Sequence, residues 1–343
     1  MALQILELSE SSHSQWDDFV NTRTEGTFFH LSGWQAVIEK AFGHKTHFLQ
    51  ATRDGQIEGV LPLAQVKSRL FGNSLTSLPF CVYGGIVAAN EEAEQALRDA
   101  ACQLATRLNV DALEMRNLKA TQSGWPTKNL YATFRKSIVA DPEENMQAIP
   151  SKQRTMIRKG IRNELKGETV TDIERIFRVY SESVRNLGTP VFTKKYFKVL
   201  QEVFADDCSI LMITHQGRDV AGVLSFYYQN QVMPYYGGSI KDARSIKAVN
   251  DFMYWDLMCR ASEKGCTLFD FGRSKVGTGP YSFKRNWGFE PEPLHYEYFL
   301  VKSDKVPEVN PNNPKYQKMI SAWKKLPLPV ANTVGPFLAK SLG

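Results

Sequence analysis

The sequence contains no long hydrophobic run: no window of about 18 consecutive apolar residues occurs, so no membrane-spanning helix is predicted. Its first residues, MALQILELSESSHSQWDDF, lack the basic segment and apolar run of a secretory signal. The five cysteines are scattered and form no CxxC, which is typical of reduced thiols in the cytoplasm. We therefore expect a cytoplasmic protein.

Motifs for metal, covalent and nucleotide chemistry are also missing. His44 and His47 are three residues apart, but no neighbouring ligand completes a metal site. The chain has no GxSxG, no GxGxxG and no GxxxxGK[ST]. We expect no metal and no tightly bound cofactor. An enzyme of this kind would rely on direct attack between two bound substrates, accelerated by positioning and electrostatics.

Length and charge set the remaining limits. A chain of 343 residues predicts two domains of roughly 150 residues each. The net charge of +6 favours anionic partners, and phosphorylated small molecules, RNA and an acidic membrane face all fit that sign.

Two segments of the chain read alike. ATRDGQIEGVLPLAQV followed by VYGGIVA matches ITHQGRDVAGVLSFYY followed by YYGGSI. Each predicts a strand, a turn at Asp54-Gly55 or Gln216-Gly217, a second strand and a Tyr-Gly-Gly. A periodic helix and a short strand that ends in an acid, Glu114 or Asp270, complete each copy. The repeat predicts two tandem α/β units with mixed central sheets.

The segment SKQRTMIRKGIRNELKGE, residues 151–168, predicts a basic helix. Six bases stand against one acid between residues 151 and 166. Spacing predicts one apolar seam of Ile157, Ile161 and Leu165 beside the cations. The cations proposed here to bind an anion are Arg154, Arg158 and Lys159. The alternative is the solvated face of an amphipathic helix.

The stretch FDFGRSKVGTGPYSFKRNWGF, residues 269–289, contains no acid between Asp270 and Glu290. Glycines permit close backbone approach, and cations and flat rings together could form the floor of a site for a large anionic substrate. The predicted substrate-binding residues here are Arg273, Lys275, Tyr281, Arg285 and Trp287. A solvated basic loop between two core strands is the alternative.

Three residues are candidates for catalysis. Asp270 could position or deprotonate an attacking amine. Tyr236 could donate to a developing oxyanion, and Lys284 could stabilise charge in the transition state. Each has a structural alternative: a carboxylate that caps a turn, a half-buried ring and a surface lysine.

DFGRSKVGTGPYSFKRNWGFEPEPLHYEYFL resembles the C-terminal signature of FemAB-like proteins, in particular those associated with the exosortase/PEP-CTERM system of Gram-negative bacteria. SKQRTMIRKGIRNELK and PNNPKYQKMISAWKKLPLPVANTVGP strengthen the likeness, which extends over nearly the whole chain. The resemblance implies two tandem N-acetyltransferase-like (GNAT) domains. It also implies an acyl- or aminoacyltransferase that forms an amide on an amine, in exopolysaccharide biosynthesis. Lys284 matches the family's Phe-Lys pair, whose lysine lies at the acceptor site.

The resemblance leaves the donor open between acyl-CoA and aminoacyl-tRNA. Residues 251–262 predict one helix, with no room for the arm with which some relatives engage tRNA. The acyl-CoA loop is also absent, since residues 243–250 read ARSIKAVN. The expected acceptor is an anionic small molecule or a carrier-linked amine.

From these features we expect a first GNAT-like domain at 1–140, a basic helical interdomain segment at 141–190 and a second GNAT-like domain at 191–303. A basic, proline-containing tail follows at 304–343, and it could pack on the domains or touch a membrane surface. The competing hypothesis is a noncatalytic, anion-binding or membrane-peripheral factor in export. General RNA binding fits less well, because the aromatic residues form no stacking platform.

Overall fold

A computed structural model of the chain describes residues 2–68, 71–306 and 314–342. The helices are α1 (His13–Thr22), α2 (Gly33–Phe42), α3 (Glu91–Arg107), α4 (Pro142–Gln147), α5 (Ser151–Arg162), α6 (Ile173–Leu187), α7 (Lys194–Phe204), α8 (Ala243–Ile246), α9 (Val249–Glu263), α10 (Gly279–Asn286), α11 (Pro314–Trp323) and α12 (Leu328–Ala339).

The strands are β1 (Gln4–Glu7), β2 (Lys45–Arg53), β3 (Gln56–Ser68), β4 (Gly72–Ser77), β5 (Val87–Ala88), β6 (Ala112–Asn117), β7 (Thr127–Lys128), β8 (Tyr131–Ser137), β9 (Lys166–Val170), β10 (Cys208–His215), β11 (Arg218–Tyr228), β12 (Gln231–Ser239), β13 (Leu268–Asp270), β14 (Ser274–Lys275), β15 (Pro291–Pro293) and β16 (His295–Leu300).

The chain folds as two compact units. Among the described residues, the first unit comprises 2–68, 71–130, 293–306 and 340–342. The second comprises 131–292 and 314–339. Residues 141–190, expected to lie between domains, fall within the second unit and supply α4, α5, β9 and α6. Residues 307–313 of the expected tail lie outside the described residues.

The two sheets share one plan. The first runs β1-β2-β3-β4-β6-β16-β7, and the second runs β9-β10-β11-β12-β13-β8-β14. In each, a parallel pair lies at the centre, β4 with β6 and β12 with β13, beside antiparallel neighbours. The strand after this pair comes from a distant part of the chain, β16 in the first sheet and β8 in the second. The predicted α/β fold with tandem mixed sheets is confirmed.

Local sequence explains the matching hairpins. Asp54 and Gly55 both have positive φ, 53° and 77°, between β2 and β3. Gln216 and Gly217 repeat this with 50° and 75° between β10 and β11. Two consecutive positive φ angles match the right-handed twist of the flanking strands, and such tight turns fix their register.

The periodic helix predicted in each copy is present. On α3, Leu97, Ala101 and Leu104 are buried, and the chain leaves the helix through Asn109 at φ 52°. On α9, the buried face includes Phe252, Trp255, Leu257, Met258 and Ala261. Gly265 then takes φ 82°, as expected of the residue after a helix.

The predicted seam on α5 is wrong. Ile157 is buried, but Ile161 is 50% exposed. The buried face is instead Gln153, Ile157 and Gly160, and a Cβ on Gly160 would stand 2.7 Å from the Cβ of Phe252 on α9. Glycine allows the two helices to approach closely. Glu164, at φ 56°, then turns the chain, so the helical spacing does not extend to Leu165.

Candidate functional site

The second sheet opens at its centre. Strands β12 and β13 pair at only two positions, Gln231 with Leu268 and Val232 with Phe269. Beyond them, β12 continues its pairing with β11 as far as Ser239. Within the described residues, the ladder between β12 and β13 extends no further than Val232 and Phe269. We call the opening between 233–239 and 270–273 the β12–β13 gap.

A β-bulge lies beside this gap. Leu224 on β11 pairs with Tyr236, but the next residue, Ser225, pairs with Pro234, so Tyr235 is the extra residue. The Ser225 hydroxyl is buried and has no hydrogen-bond partner within the described residues. Bulges are frequent beside active sites, because they redirect a strand and end regular pairing.

Tyr254, on α9, lies across the gap. Its hydroxyl oxygen is 3.4 Å from the position that a Cβ on Gly237 of β12 would occupy. Its ring packs edge-on against Phe271, after β13, with 4.8 Å between centroids. In the part of the chain that the structure describes, its hydroxyl makes no hydrogen bond. Burial raises the pKa of Tyr254 to about 12, so the phenol stays protonated and can donate at neutral pH.

Lys284 holds the loop at the end of β13. Its Nζ donates to the carbonyl oxygens of Phe271 at 2.7 Å, Gly272 at 2.9 Å and Arg273 at 3.1 Å. Burial lowers the pKa of Lys284 to about 7, while Asp270 opposes the shift. An ammonium group has three N–H donors. All three are used on this loop, so the structure places Lys284 as a residue that positions the backbone.

Asp270 is also engaged by its own loop. Its carboxylate oxygen Oδ1 accepts from the backbone N–H of Gly272 at 2.7 Å and from the Thr133 hydroxyl at 3.4 Å. The residue is 2% exposed. A substrate amine therefore cannot reach this carboxylate in the present conformation, and the turn-capping alternative describes its contacts.

Tyr236 faces away from these residues. Its hydroxyl is 2.7 Å from that of Tyr196 on α7, and its ring packs against Tyr180 on α6. Gly237, next along the strand, faces Tyr254 on α9. Because successive residues of a strand point to opposite faces, Tyr236 and Tyr254 lie on opposite sides of the sheet. The structure does not bring Tyr236 together with Lys284.

The predicted basic loop, residues 271–289, forms β14 and α10. The Arg273 guanidinium lies 4.8 Å from the Tyr131 ring centroid. Lys275, on β14, pairs with Tyr131 on β8. Tyr281 is half-buried against Phe134, and Arg285 is exposed. Trp287, predicted to contact substrate, is 0% exposed and packs in the core in this structure.

Asp251 links three helices at this end of the unit. Its Oδ1 accepts from the indole N–H of Trp287, just after α10, and from the Gln153 amide of α5, both at 3.1 Å. Burial raises the pKa of Asp251. These bonds join the first half of α5 and the end of α10 to the start of α9.

The cations of α5 differ in their freedom. Arg154 donates to the Gln147 carbonyl oxygen at 3.0 Å, and Lys159 is half-buried. Arg158 and Arg162 are exposed and follow one another at i and i+4. The exposed pair is therefore the part of the predicted stripe that is open to an anionic partner.

The turn before α9 does not reproduce a glycine-rich pyrophosphate loop. Lys247 and Ala248 take left-handed conformations at φ 61° each, without glycine. The buried carboxylate of Asp251 stands in the first turn of α9. A carboxylate there competes with an anion for the positive end of the helix, so these residues do not fit the CoA-binding loop usual for this class.

No group of three His, Cys, Asp or Glu residues forms a metal site in residues 2–68, 71–306 and 314–342. Over the same described ranges, no helix combines the length and apolarity that crossing a lipid bilayer requires.

Comparison with known proteins identifies the class of domain. Residues 151–285, which include the gap, α9 and Lys284, match the family model for the acetyltransferase (GNAT) domain. The match lies within the second unit, and the two mixed sheets match the fold of tandem GNAT-like domains. No curated protein matches the chain.

Three solved structures share the fold. The crystal structure of FemX covers 92% of this chain and 100% of its own, with a TM-score of 0.65 and 15% identity. The match to L-PGS from Bacillus licheniformis covers 94% of this chain and 98% of that one, with a TM-score of 0.58 and 11% identity. The match to a tandem GNAT protein from the clavulanic acid biosynthesis pathway covers 87% of this chain and 98% of that one, with a TM-score of 0.55 and 12% identity. At these identities the likeness shows the fold.

Tyr254 and Asp251 were not predicted as functional residues. Both lie on α9 among apolar residues such as Phe252 and Trp255, so their sequence context is that of a core helix. The only sequence signal for either residue is a polar side chain on a helix whose other residues are largely apolar.

Proposed function

We propose that this protein is an N-acyltransferase. It would transfer an acyl or aminoacyl group from an activated carrier to an amine of a cell-envelope or exopolysaccharide precursor, without a covalent enzyme intermediate. The observation that carries the proposal is the β12–β13 gap, where two strands of a segment that matches the GNAT domain diverge and the Tyr254 hydroxyl lies near Gly237.

The reaction needs few groups from the protein. The amine nitrogen attacks the acyl carbonyl carbon, a C–N bond forms, and the C–S bond of a thioester or the C–O bond of an ester breaks. The proton lost by nitrogen ends on the departing sulfur or oxygen. Because Tyr254 remains a phenol at neutral pH, its hydroxyl can donate to the oxygen that gains negative charge.

Lys284 would act through the loop that it holds. Its three bonds fix the carbonyls of residues 271–273, which border the gap opposite β12. Small displacements of a substrate from its reactive geometry are costly, and about 1 Å can reduce a rate about 100-fold. We therefore propose Lys284 as a positioning residue, and Tyr254 as the residue that touches the reacting atoms.

The acceptor would be carried on an anion. Arg158 and Arg162 on α5 and Arg285 on α10 are exposed, and Asp251 accepts hydrogen bonds from both of these basic segments. Exposed arginines suit phosphate oxygens, because the guanidinium presents paired N–H donors. This favours an amine on a phosphorylated carrier, such as a nucleotide-linked amino sugar.

Two donors are consistent with the gap. An acyl thioester of CoA would present an extended amide-containing arm to β12 at the gap, but the turn before α9 lacks the glycines of a pyrophosphate loop. An aminoacyl ester on tRNA needs no such loop. Within the described residues there is no helical arm for tRNA, since α9 is a single helix of 15 residues.

The test is donor discharge by the purified full chain. Acetyl-CoA and aminoacyl-tRNA are supplied separately with UDP-glucosamine or a lysine peptide as acceptor, and the amide product is measured by mass spectrometry. We expect a product with one donor, and a loss of roughly 100-fold in kcat for Tyr254→Phe. Tyr227→Phe is the control, since Tyr227 is also half-buried with a raised pKa but contacts Lys264. Equal rates for both variants would reject the role of Tyr254, and no amide with either donor would reject the proposed activity for these substrates.

A further inference from the structure

The last helix, α12, presents apolar side chains on both of its faces. Ala331, Gly335 and Ala339 are buried against the second unit. On the opposite face the exposed side chains are Val330 at 43%, Val334 at 42% and Phe337 at 68%. Their spacing of four and three residues places them in one stripe along two turns. A surface helix ordinarily turns a polar face outward, so this stripe requires an explanation.

The orientation of α12 is fixed by its packing. A Cβ on Gly335 would stand 2.9 Å from the backbone nitrogen of Val191, so the helix lies directly on that segment. Asn332 donates to the Ser181 hydroxyl on α6 at 3.4 Å, and Arg185 donates to the Leu326 carbonyl oxygen just before α12, also at 3.4 Å. Rotation about the helix axis would break these contacts, so the stripe stays on the outside.

The charge of the C-terminal segment has one sign. Residues 309–343 contain five lysines and neither aspartate nor glutamate. Lys324 and Lys325, which are separated from the start of the helix by Leu326 and Pro327, are exposed. Each basic residue near an anionic bilayer surface contributes favourably, and apolar side chains of an interfacial helix enter the boundary between head groups and acyl chains.

A second copy of the chain is a less suitable occupant. Pairing two such faces would bring lysines from both copies together, and this segment supplies no acid to neutralise them. An anionic bilayer satisfies the apolar stripe and the lysines at once.

We propose that the α12 stripe, Val330, Val334 and Phe337 with Lys324 and Lys325 beside it, docks on the surface of an anionic lipid bilayer. The proposal is independent of the acyl transfer proposed above. It would place the second unit at a membrane surface, where lipid-linked carriers are found.

The experiment is co-sedimentation of the full chain with vesicles of phosphatidylcholine alone or with added phosphatidylglycerol, at low salt. We expect binding to the anionic vesicles only. The triple variant Val330→Ser, Val334→Ser, Phe337→Ser should lose more than about tenfold in partition, and Lys324→Ser with Lys325→Ser roughly tenfold. Ile161→Ser is the control, because Ile161 is 50% exposed on a different basic helix.

Three results would overturn the proposal: no binding of the wild-type chain to anionic vesicles, equal binding of the triple variant, or equal loss in Ile161→Ser. Analytical ultracentrifugation in the absence of vesicles provides a second readout. A dimer that only the triple variant abolishes, without vesicle binding, would assign the stripe to a contact between copies. Thermal melting should be unchanged in every variant, since the altered side chains are exposed.

Discussion

The two units share a strand plan but differ at the centre of the sheet. In the first unit, Arg116 on β6 is 2% exposed and donates to the carbonyl oxygens of Cys81 at 2.8 Å and Leu78 at 3.3 Å. Those carbonyls belong to the segment that follows β4, so an arginine joins the two diverging strands. In the second unit, Lys284 bonds to carbonyl oxygens of the loop after β13, and the Tyr254 hydroxyl lies near Gly237 on one face of the sheet.

Duplicated folds can therefore divide their tasks at one position. The Arg116 side chain closes the opening of the first sheet with hydrogen bonds of its own, and Glu114 accepts from the same guanidinium at 2.7 Å. At the corresponding opening of the second sheet, the Tyr254 hydroxyl lies near Gly237 of β12. We infer that the first opening is structural, and that the second is the one able to accept an acyl donor.

The largest expected effect is that of Lys284→Met. Loss of three hydrogen bonds to residues 271–273 should loosen the loop at the β12–β13 gap, with kcat falling about 100-fold. Steady-state kinetics with whichever donor the discharge assay identifies would measure it. An unchanged kcat in folded protein would contradict the positioning role.

Arg116→Met is the counterpart in the first unit. It removes a buried cation that joins β6 to the segment after β4, and breaking such buried contacts costs about 3 kcal/mol of unfolding free energy. Urea denaturation should show that loss, while kcat per folded molecule stays within about twofold of the wild type. A fall in kcat as large as that of Lys284→Met would show that the first opening also takes part in transfer.

Smaller effects are expected from pH. His30, buried in the first unit, has its pKa lowered by burial to about 4. Between about 6.5 and 4 the unfolded chain binds a proton that the folded chain refuses, so the unfolding free energy should fall by roughly 3 kcal/mol as pH decreases. His30→Gln should remove that dependence, as measured by urea denaturation at pH 7 and pH 4.

Lys284 should make the unfolding free energy of the second unit depend on pH in a higher range. Its pKa of about 7 lies below the usual 10.5, so between these values the unfolded chain holds a proton that the folded chain has lost. Unfolding free energy from this group should therefore rise with pH in that range, and Lys284→Met should abolish the rise. A dependence that persists in the variant would assign it to another group.

Features with a local cause could be predicted from the sequence. The turns at Asp54-Gly55 and Gln216-Gly217 follow from residues that accept positive φ, and α3 follows from its spacing of apolar side chains. The repeat could be recognised because both copies keep these local signals in the same order. The predicted seam on α5 failed at Ile161, because the left-handed Glu164 ends the helical path and Gly160 sets the contact with α9.

The site itself depends on contacts that leave little trace in the sequence. Lys284 bonds to backbone carbonyls, which any residue can supply, so its partners could not be read from side-chain types. Trp287 resembled a ligand platform, but Asp251 holds its indole in the core. Tyr254 differs from its apolar neighbours only in its place in the fold. It lies beside the point where β12 and β13, which α9 connects in sequence, diverge.

The most direct test of the difference between the two openings is hydrogen–deuterium exchange of the full chain with acetyl-CoA and with aminoacyl-tRNA. The account predicts that the effective donor slows exchange at residues 233–239 and leaves residues 78–83, joined to Arg116, unchanged. Slower exchange at 78–83 with no change at 233–239 would contradict it.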